Sequence, residues 1–269
     1  MSRNPCDWLE EARAIAVEAG RRILDVYERN FHVGAKADGS PLTEADRAAH
    51  DAIVARLSAL TPDVPVLSEE ATQVPYEARA AWGRFWLVDP LDGTKEFINR
   101  NGEFTVNIAL IEGHAPVLGV VYVPVLGVGY SACRGGGAFR QKADGRPEPI
   151  RARRFAGGKP VVVASRSHAG RETEEFLQSL GAHDVVSMGS SLKFCLVADG
   201  AADVYPRLGP TMEWDTAAAQ CVVEEAGGGV TDLTGRPLAY NKPDLHNPWF
   251  IVRGAGEYDW RRHLPPAAK

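Results

Sequence analysis

The sequence predicts an α/β protein whose first half is built on antiparallel strands and whose second half alternates strands with helices. Short turns separate three strand-like apolar runs in the first half, which indicates an antiparallel meander. These runs are residues 104–112, 115–124 and 128–132. After residue 160, short apolar runs alternate with helical patterns, which favours βα units. We therefore expect a mixed α/β fold.

The chain of 269 residues is long enough for one compact unit with a large core. We expect an N-terminal half over 1–150 and a C-terminal half over 151–269, with the functional site between them. The polar stretch 141–154 is the predicted boundary. A hydrophobic content of 45% and a charged content of 24% are ordinary for a soluble protein. We predict neither a signal peptide nor a membrane-spanning segment.

The net charge of −5 disfavours nucleic acid or an anionic membrane as a partner. A substrate that carries phosphate would be repelled by this overall charge. Local cations, either metal ions or basic side chains, would then have to bind it.

The four cysteines, at positions 6, 133, 195 and 221, are widely scattered and show no metal-binding spacing. We therefore expect free thiols in a cytosolic protein.

Two helices are predicted near the N-terminus. Asn4 and Pro5 have the pattern of a helix start, and apolar residues at helical spacing continue to about Asn30. Thr43 can cap a second helix, with Asp46 completing a capping box. From these residues alone, capping explains Asp46 better than catalysis does.

Acidic residues follow a strand that is predicted to be buried. The apolar run 85–88 ends at Asp89, turns through Pro90, presents Asp92 and turns again at Gly93. Buried carboxylates must be paired, neutralised or bound to metal. A divalent cation, with the Leu91 carbonyl as a further oxygen ligand, would compensate them. An ordinary turn rich in Asp, Pro and Gly is the alternative.

Two further acids strengthen the prediction of a cation site. Glu69 follows the strand-like run 64–67 in the same way that Asp89 follows its own strand. Asp215 lies in the first turn of a helix that begins at Glu213. An acid in that turn stabilises the helix dipole by about 0.3–1 kcal/mol, so Asp215 has an explanation without a metal.

These motifs together resemble the inositol monophosphatase superfamily of metal-dependent, lithium-sensitive phosphatases. The resemblance rests on Ser68-Glu69-Glu70, on the run from Asp89 to Thr94 and on the run from Glu213 to Ala218, and it extends over nearly the whole chain. Within the superfamily, Leu91 and the continuation Lys95-Glu96-Phe97-Ile98 are similar to the 3′(2′),5′-bisphosphate nucleotidase branch. Residues 100–107 agree with that branch.

The resemblance implies a layered αβαβα sandwich of the sugar-phosphatase type and a site with two or three Mg²⁺ ions. The implied metal ligands are Glu69, Asp89, Asp92, Asp215 and the carbonyl of Leu91. Asp46 and Thr94 are the implied catalytic residues, which orient the attacking water and accept its proton. We expect Glu70 to be an alternative to Asp46 in this role.

The resemblance also implies a set of substrate contacts. These are Gly93, Thr94, His168, Ser190, Lys193, Arg207 and Asp215. The chemistry is suitable, because Lys193 and Arg207 can bind phosphate and Ser190 is predicted to begin a helix. Each has an ordinary alternative as well: Ser190 can simply cap its helix, and His168 can be a loop residue.

The implied reaction removes the 3′-phosphate of adenosine 3′,5′-bisphosphate (PAP), or of its sulfated form (PAPS). The implied location is cytoplasmic, with peripheral association with the inner membrane as an alternative. The rival functions are hydrolysis of inositol monophosphate or another sugar phosphate, and binding of metal or nucleotide without catalysis.

Overall fold

The computed structural model describes residues 4–35, 41–71, 74–143, 145–165 and 170–265. Its elements stack in five layers: two N-terminal helices, a seven-stranded sheet, two central helices, a five-stranded sheet and an outer helix. The predicted αβαβα sandwich is confirmed.

The first layer is a pair of long helices. A 3₁₀ turn, Pro5–Trp8, leads into α1, Leu9–Tyr27, so the predicted first helix begins as a tighter turn. Strands β1, Val33–Ala35, and β2, Pro41–Thr43, form a small antiparallel ribbon before α2, Glu44–Leu60. The apolar faces of α1 and α2 pack on the first sheet, where they bury one half of the core.

The first sheet has the strand order β3-β4-β5-β6-β7-β8-β9. Its strands are β3, Val66–Ser68; β4, Arg84–Asp92; β5, Thr105–Glu112; β6, Ala115–Val123; β7, Val128–Cys133; β8, Gly137–Lys142; and β9, Glu148–Pro149. β3 pairs with β4 in parallel, and all other neighbours are antiparallel. The meander is therefore confirmed. Helices α3, Tyr76–Arg79, and α4, Thr94–Ile98, flank β4 along the chain.

The second sheet has the strand order β11-β10-β12-β14-β13. The C-terminal elements are β10, Val161–Ser165; α5, Arg171–Leu180; β11, Asp184–Met188; α6, Leu192–Ala198; β12, Val204–Arg207; α7, Glu213–Glu225; β13, Gly229–Asp232; and β14, Phe250–Arg253. β10 is parallel to both β11 and β12, as the βα pattern predicts. β14 is antiparallel to β12 and β13.

Helices α6 and α7 lie between the two sheets and share a core with both. α7 crosses β6 at close range, because a Cβ added at Gly119 would lie 2.2 Å from the carbonyl oxygen of Ala218. Although α7 comes late in the sequence, it therefore packs on the sheet of the N-terminal half. This packing carries the start of α7 to the end of β4.

The expectation of free thiols is wrong for one pair of cysteines. Cys6 and Cys133 form a disulfide that joins the N-terminal 3₁₀ turn to the end of β7, with a Cα–Cα distance of 5.4 Å. The two residues are 127 positions apart in sequence, so spacing gave no signal for their pairing. Cys195 and Cys221 are buried free thiols.

Within the described segments, no helix combines the length and apolar character needed to cross a membrane.

Candidate active site

A β-bulge at the end of β4 brings two carboxylates to one face of the sheet. Asp89 lies opposite Asn107 and Asp92 lies opposite Thr105, so β4 has two residues between these pairs where β5 has one. In a regular strand, side chains three residues apart would point to opposite faces. The bulge adds a residue and turns both carboxylates toward α6 and α7.

Glu69 and Asp215 reach the same place from two other segments. Glu69 follows β3, and its backbone N–H donates to the carbonyl of Val88 at 3.1 Å, which fixes it beside Asp89. Asp215 lies in the first turn of α7, where its Oδ2 accepts from the N–H of Met212 at 2.9 Å. Carboxylate oxygens of Glu69, Asp89 and Asp215 all lie within 4.8 Å of one another.

The electrostatics of this cluster favour a bound cation. Burial and the charges of Glu69 and Asp92 raise the pKa of Asp89 well above its usual value. Burial also raises the pKa of Asp215 well above its usual value, with Asp92 and Glu69 adding to the effect. Crowded carboxylates must take up protons unless a positive charge neutralises them. An all-oxygen donor set of this kind fits Mg²⁺.

Asp92 lies outside this group of three and is held by Ser191, the residue that precedes α6. Its Oδ2 accepts the backbone N–H of Ser191 at 2.5 Å. The Ser191 hydroxyl lies 2.7 Å from Asn107 Oδ1 and 2.8 Å from Thr105 Oγ1. Burial raises the pKa of Asp92, while Lys193 and the Ser191 N–H lower it. Our sequence reasoning missed Ser191, Thr105 and Asn107, although two of them lie in the run 100–107.

The predicted catalytic residues lie in two places. Asp46 Oδ2 accepts from the N–H of Thr43 at 2.7 Å, which completes the predicted capping box. Its Oδ1 lies 3.4 Å from the hydroxyl of Thr94, so the same side chain also faces the site. Glu70 lines an adjoining cleft, which Glu69 also borders. Their catalytic roles stay predictions.

A pocket of about 300 Å³ opens beside the carboxylates. It is lined by six of the seven predicted substrate contacts, namely Gly93, Thr94, Ser190, Lys193, Arg207 and Asp215, and also by Ser165, Tyr205 and Thr211. The seventh, His168, lies outside the described residues. The role of each in binding stays a prediction.

The pocket contains a buried cation with a shifted pKa. Lys193 is 6% exposed, and its Nζ lies 5.6 Å from the centre of the Tyr205 ring. Burial lowers the pKa of Lys193 to about 8, although Asp92 opposes the shift. Arg207 is anchored through a bond from Nη2 to the carbonyl of Pro210 at 2.7 Å. Lys95 also lines the pocket, so three cations border it in a protein of negative net charge.

The expectation that Ser190 begins a helix is wrong. α6 starts at Leu192, and Ser190 precedes it in the left-handed region with φ of 46°. The amide of the next residue, Ser191, donates to Asp92, so it serves the carboxylate site.

A layered αβαβα sandwich, in which carboxylates converge beside a pocket that also contains lysine and arginine side chains, fits a metal-dependent phosphatase. The sequence model of the Inositol monophosphatase family matches residues 6–254. The chain therefore belongs to the inositol monophosphatase family.

Two similar proteins are both 3′(2′),5′-bisphosphate nucleotidases named CysQ. The 3′(2′),5′-bisphosphate nucleotidase CysQ of Escherichia coli K12 is 52% identical over 248 residues, covering 91% of this chain and 98% of that protein. CysQ of Aggregatibacter actinomycetemcomitans is 40% identical, covering 94% of each chain.

Two solved structures have a fold similar to that of this chain. CysQ from Bacteroides thetaiotaomicron, a bacterial member of the inositol monophosphatase family, has a TM-score of 0.79 at 46% identity and covers 92% of this chain and 97% of its own. The Thermotoga maritima IMPase TM1415 has a TM-score of 0.77 at 27% identity and covers 92% of each chain.

Proposed function

We propose that this chain is a Mg²⁺-dependent phosphatase that hydrolyses the 3′-phosphate of adenosine 3′,5′-bisphosphate to give AMP and phosphate. The sulfated form of this substrate, PAPS, would give adenosine 5′-phosphosulfate and phosphate. The observation that carries the proposal is the convergence of Glu69, Asp89 and Asp215 within 4.8 Å. The 52% identity to a bisphosphate nucleotidase supports the choice of substrate.

The metal site in this proposal uses the acidic residues at the strand ends. Glu69, Asp89, Asp92 and Asp215 would hold two or three Mg²⁺ ions, together with the carbonyl of Leu91. When bound, Mg²⁺ would lower the pKa of the attacking water and stabilise charge on the phosphate and the leaving oxygen. The raised pKa values of Asp89 and Asp215 support this assignment.

Thr94 and Asp46 would orient and deprotonate the attacking water. The Thr94 hydroxyl lies 3.4 Å from Asp46 Oδ1, so the pair can orient a water and pass its proton to the carboxylate. Glu70, which borders the adjoining cleft, is a second candidate acceptor of that proton.

The remaining pocket would hold the nucleotide. Lys193 and Arg207 would bind the 5′-phosphate, the lysine as a point charge and the arginine through its planar group of donors. Gly93, Ser190 and His168 would complete the contacts. With the second phosphate held by Lys193 and Arg207, the 3′-phosphate would bind at the carboxylate cluster.

A related activity on inositol monophosphate or another sugar phosphate is the alternative within the same family. Comparing kcat/KM for adenosine 3′,5′-bisphosphate and for inositol monophosphate tests it. We expect the nucleotide to be preferred, and a preference for inositol monophosphate would contradict the proposed substrate.

A non-catalytic binding protein is a more distant alternative. Phosphate release in Mg²⁺ that stops on addition of EDTA would exclude it, and absence of any release would support it. The cytoplasmic location and the peripheral membrane association remain predictions.

A further inference from the structure

Helix α7 begins with a buried acid that is not among the residues lining the pocket. Glu213 has no exposed surface, and its Oε2 accepts the backbone N–H of Asn241 at 2.7 Å. Its Oε1 accepts both the backbone N–H and the Nζ of Lys242, at 3.0 and 2.6 Å. The carboxylate is thus fully used in holding the loop that follows residue 240.

The side chain of Asn241 continues the connection to another segment. Its Oδ1 accepts from Nη1 of Arg79 at 2.8 Å, and its Nδ2 donates to the carbonyl of Arg79 at 2.8 Å. Both residues are 2% exposed. Nη2 of Arg79 also donates to the carbonyl of Pro243 at 3.0 Å. Asn241 has a φ of 63°, a left-handed conformation that few residues adopt easily.

These contacts join the segments that carry two of the clustered carboxylates. Arg79 ends α3, ten residues after Glu69, and both residues border the same cleft. Glu213 begins α7 and lies two positions before Asp215. The loop that follows residue 240 also bonds to the backbone near the start of α7. The N–H of Asn247 donates to the carbonyl of Thr211 at 2.8 Å, and the N–H of Glu213 donates to the carbonyl of Leu245 at 2.9 Å.

We propose that Arg79, Asn241 and Glu213 form a positioning clamp that holds the Glu69 and Asp215 segments close enough to share a divalent cation. The inference rests on the metal site of the proposed function. Carboxylates at this distance repel one another before the ion binds, so contacts beyond the β3–β4 pairing and the α7–β6 packing would help to hold their backbones in place. Mutation of a group that bonds directly to a metal ligand typically changes metal affinity about 10–100-fold, and the clamp acts through the backbone, so we expect the lower end of this range.

The substitution Asn241→Gly tests the clamp. Glycine keeps the left-handed backbone and the N–H to Glu213, and removes only the amide that binds Arg79. We expect Mg²⁺ affinity, measured by titration calorimetry without substrate, to fall about tenfold. We expect kcat to return to the wild-type value at saturating Mg²⁺, because the clamp does not contact the reacting atoms. Arg79→Lys, which keeps the charge and loses the second bonding nitrogen, should behave in the same way.

A matched control separates positioning from stability. Arg153→Gln removes a two-bond fork onto the buried Asp203, at 2.7 and 2.6 Å, away from the residues that line the site. It should lower the Tm and leave Mg²⁺ affinity unchanged. If Asn241→Gly behaves like this control, with a lower Tm and wild-type affinity, the clamp is overturned.

The same titrations distinguish failure of the clamp from failure of the proposed function. Wild-type protein should bind Mg²⁺, and Asp89→Asn should abolish or strongly weaken that binding. Wild-type binding that Asp89→Asn leaves intact, or no wild-type binding at all, would overturn the metal site and the clamp with it. Binding that depends on Asp89 but not on Asn241 would overturn the clamp alone.

Discussion

At the scale of single residues, the site combines groups whose ordinary ionisation is unfavourable where they lie. Asp89 is 2% exposed beside two other carboxylates, and Lys193 is buried against an aromatic ring. In both cases burial opposes the charge in the free protein, and a complementary ligand, a cation or a phosphate, would favour it. Groups in such positions are candidate binding groups.

The first residue-scale prediction concerns Asp89→Asn. Activity should fall by more than about 100-fold, because a proposed ligand of the catalytic cation is lost. In EDTA, however, the variant should have a higher Tm than wild type at pH 7.5. Burial raises the folded-state pKa of Asp89, so its contribution to stability is complete below the unfolded pKa of about 3.9 and is lost as the pH rises through the folded value.

The Tm in EDTA between pH 4 and pH 8 is the measurement that checks this. The wild-type Tm should decline more steeply with rising pH than that of the variant, and added Mg²⁺ should reduce the wild-type decline. A variant that is less stable than wild type across this range would show that Asp89 is not electrostatically strained.

The second residue-scale prediction concerns the pH dependence conferred by Lys193. Its pKa is lowered to about 8, so the cation is present below that pH and is lost as the pH rises through it. The kcat/KM for adenosine 3′,5′-bisphosphate should therefore drop by up to about tenfold from pH 7 to pH 9 in excess of any drop for adenosine 3′-monophosphate. Lys193→Arg should remove this difference, since arginine stays charged. Equal profiles for the two substrates would exclude Lys193 as a ligand of the second phosphate.

At the scale of elements, the position of α7 against β6 determines where Asp215 lies. Gly119 permits this approach, since a Cβ there would meet the Ala218 carbonyl oxygen at 2.2 Å and the Cys221 Cβ at 2.9 Å. Backbone cannot move aside as a flexible side chain can. The helix would have to shift, and its first turn carries Asp215, a proposed metal ligand.

Gly119→Ala should therefore reduce stability by about 1–3 kcal/mol through overpacking, and should also weaken Mg²⁺ binding. Urea unfolding and Mg²⁺ titration measure the two effects. Gly83→Ala is the control, because a Cβ at Gly83 meets nothing within 4 Å. Wild-type stability and Mg²⁺ affinity in Gly119→Ala would show that α7 is not tightly held by β6.

At the scale of the whole molecule, the sequence predicted what depends on local pattern. The meander, the βα units and the capping by Thr43 follow from apolar periodicity and residue type, and the structure confirms them. The order of the acidic motifs identified the family. The short β8 and β9 were missed, because polar residues and glycines obscure their alternation.

Features that depend on distant pairing could not be predicted in this way. The disulfide between Cys6 and Cys133 joins chain segments that only the folded sheet brings together. The contacts of Ser191 with Asn107, and of Arg79 with Asn241, likewise cross from one half of the chain to the other. A single sequence contains no local signal for such pairs, because each partner is an ordinary polar residue in its own segment.

The most direct test of the account is a ³¹P NMR analysis of adenosine 3′,5′-bisphosphate incubated with the protein and Mg²⁺. We predict that the 3′-phosphate resonance disappears, that inorganic phosphate appears, that the 5′-phosphate resonance persists as AMP, and that EDTA stops the conversion. Loss of the 5′-phosphate resonance, or conversion that continues in EDTA, would contradict hydrolysis at a carboxylate-bound metal centre.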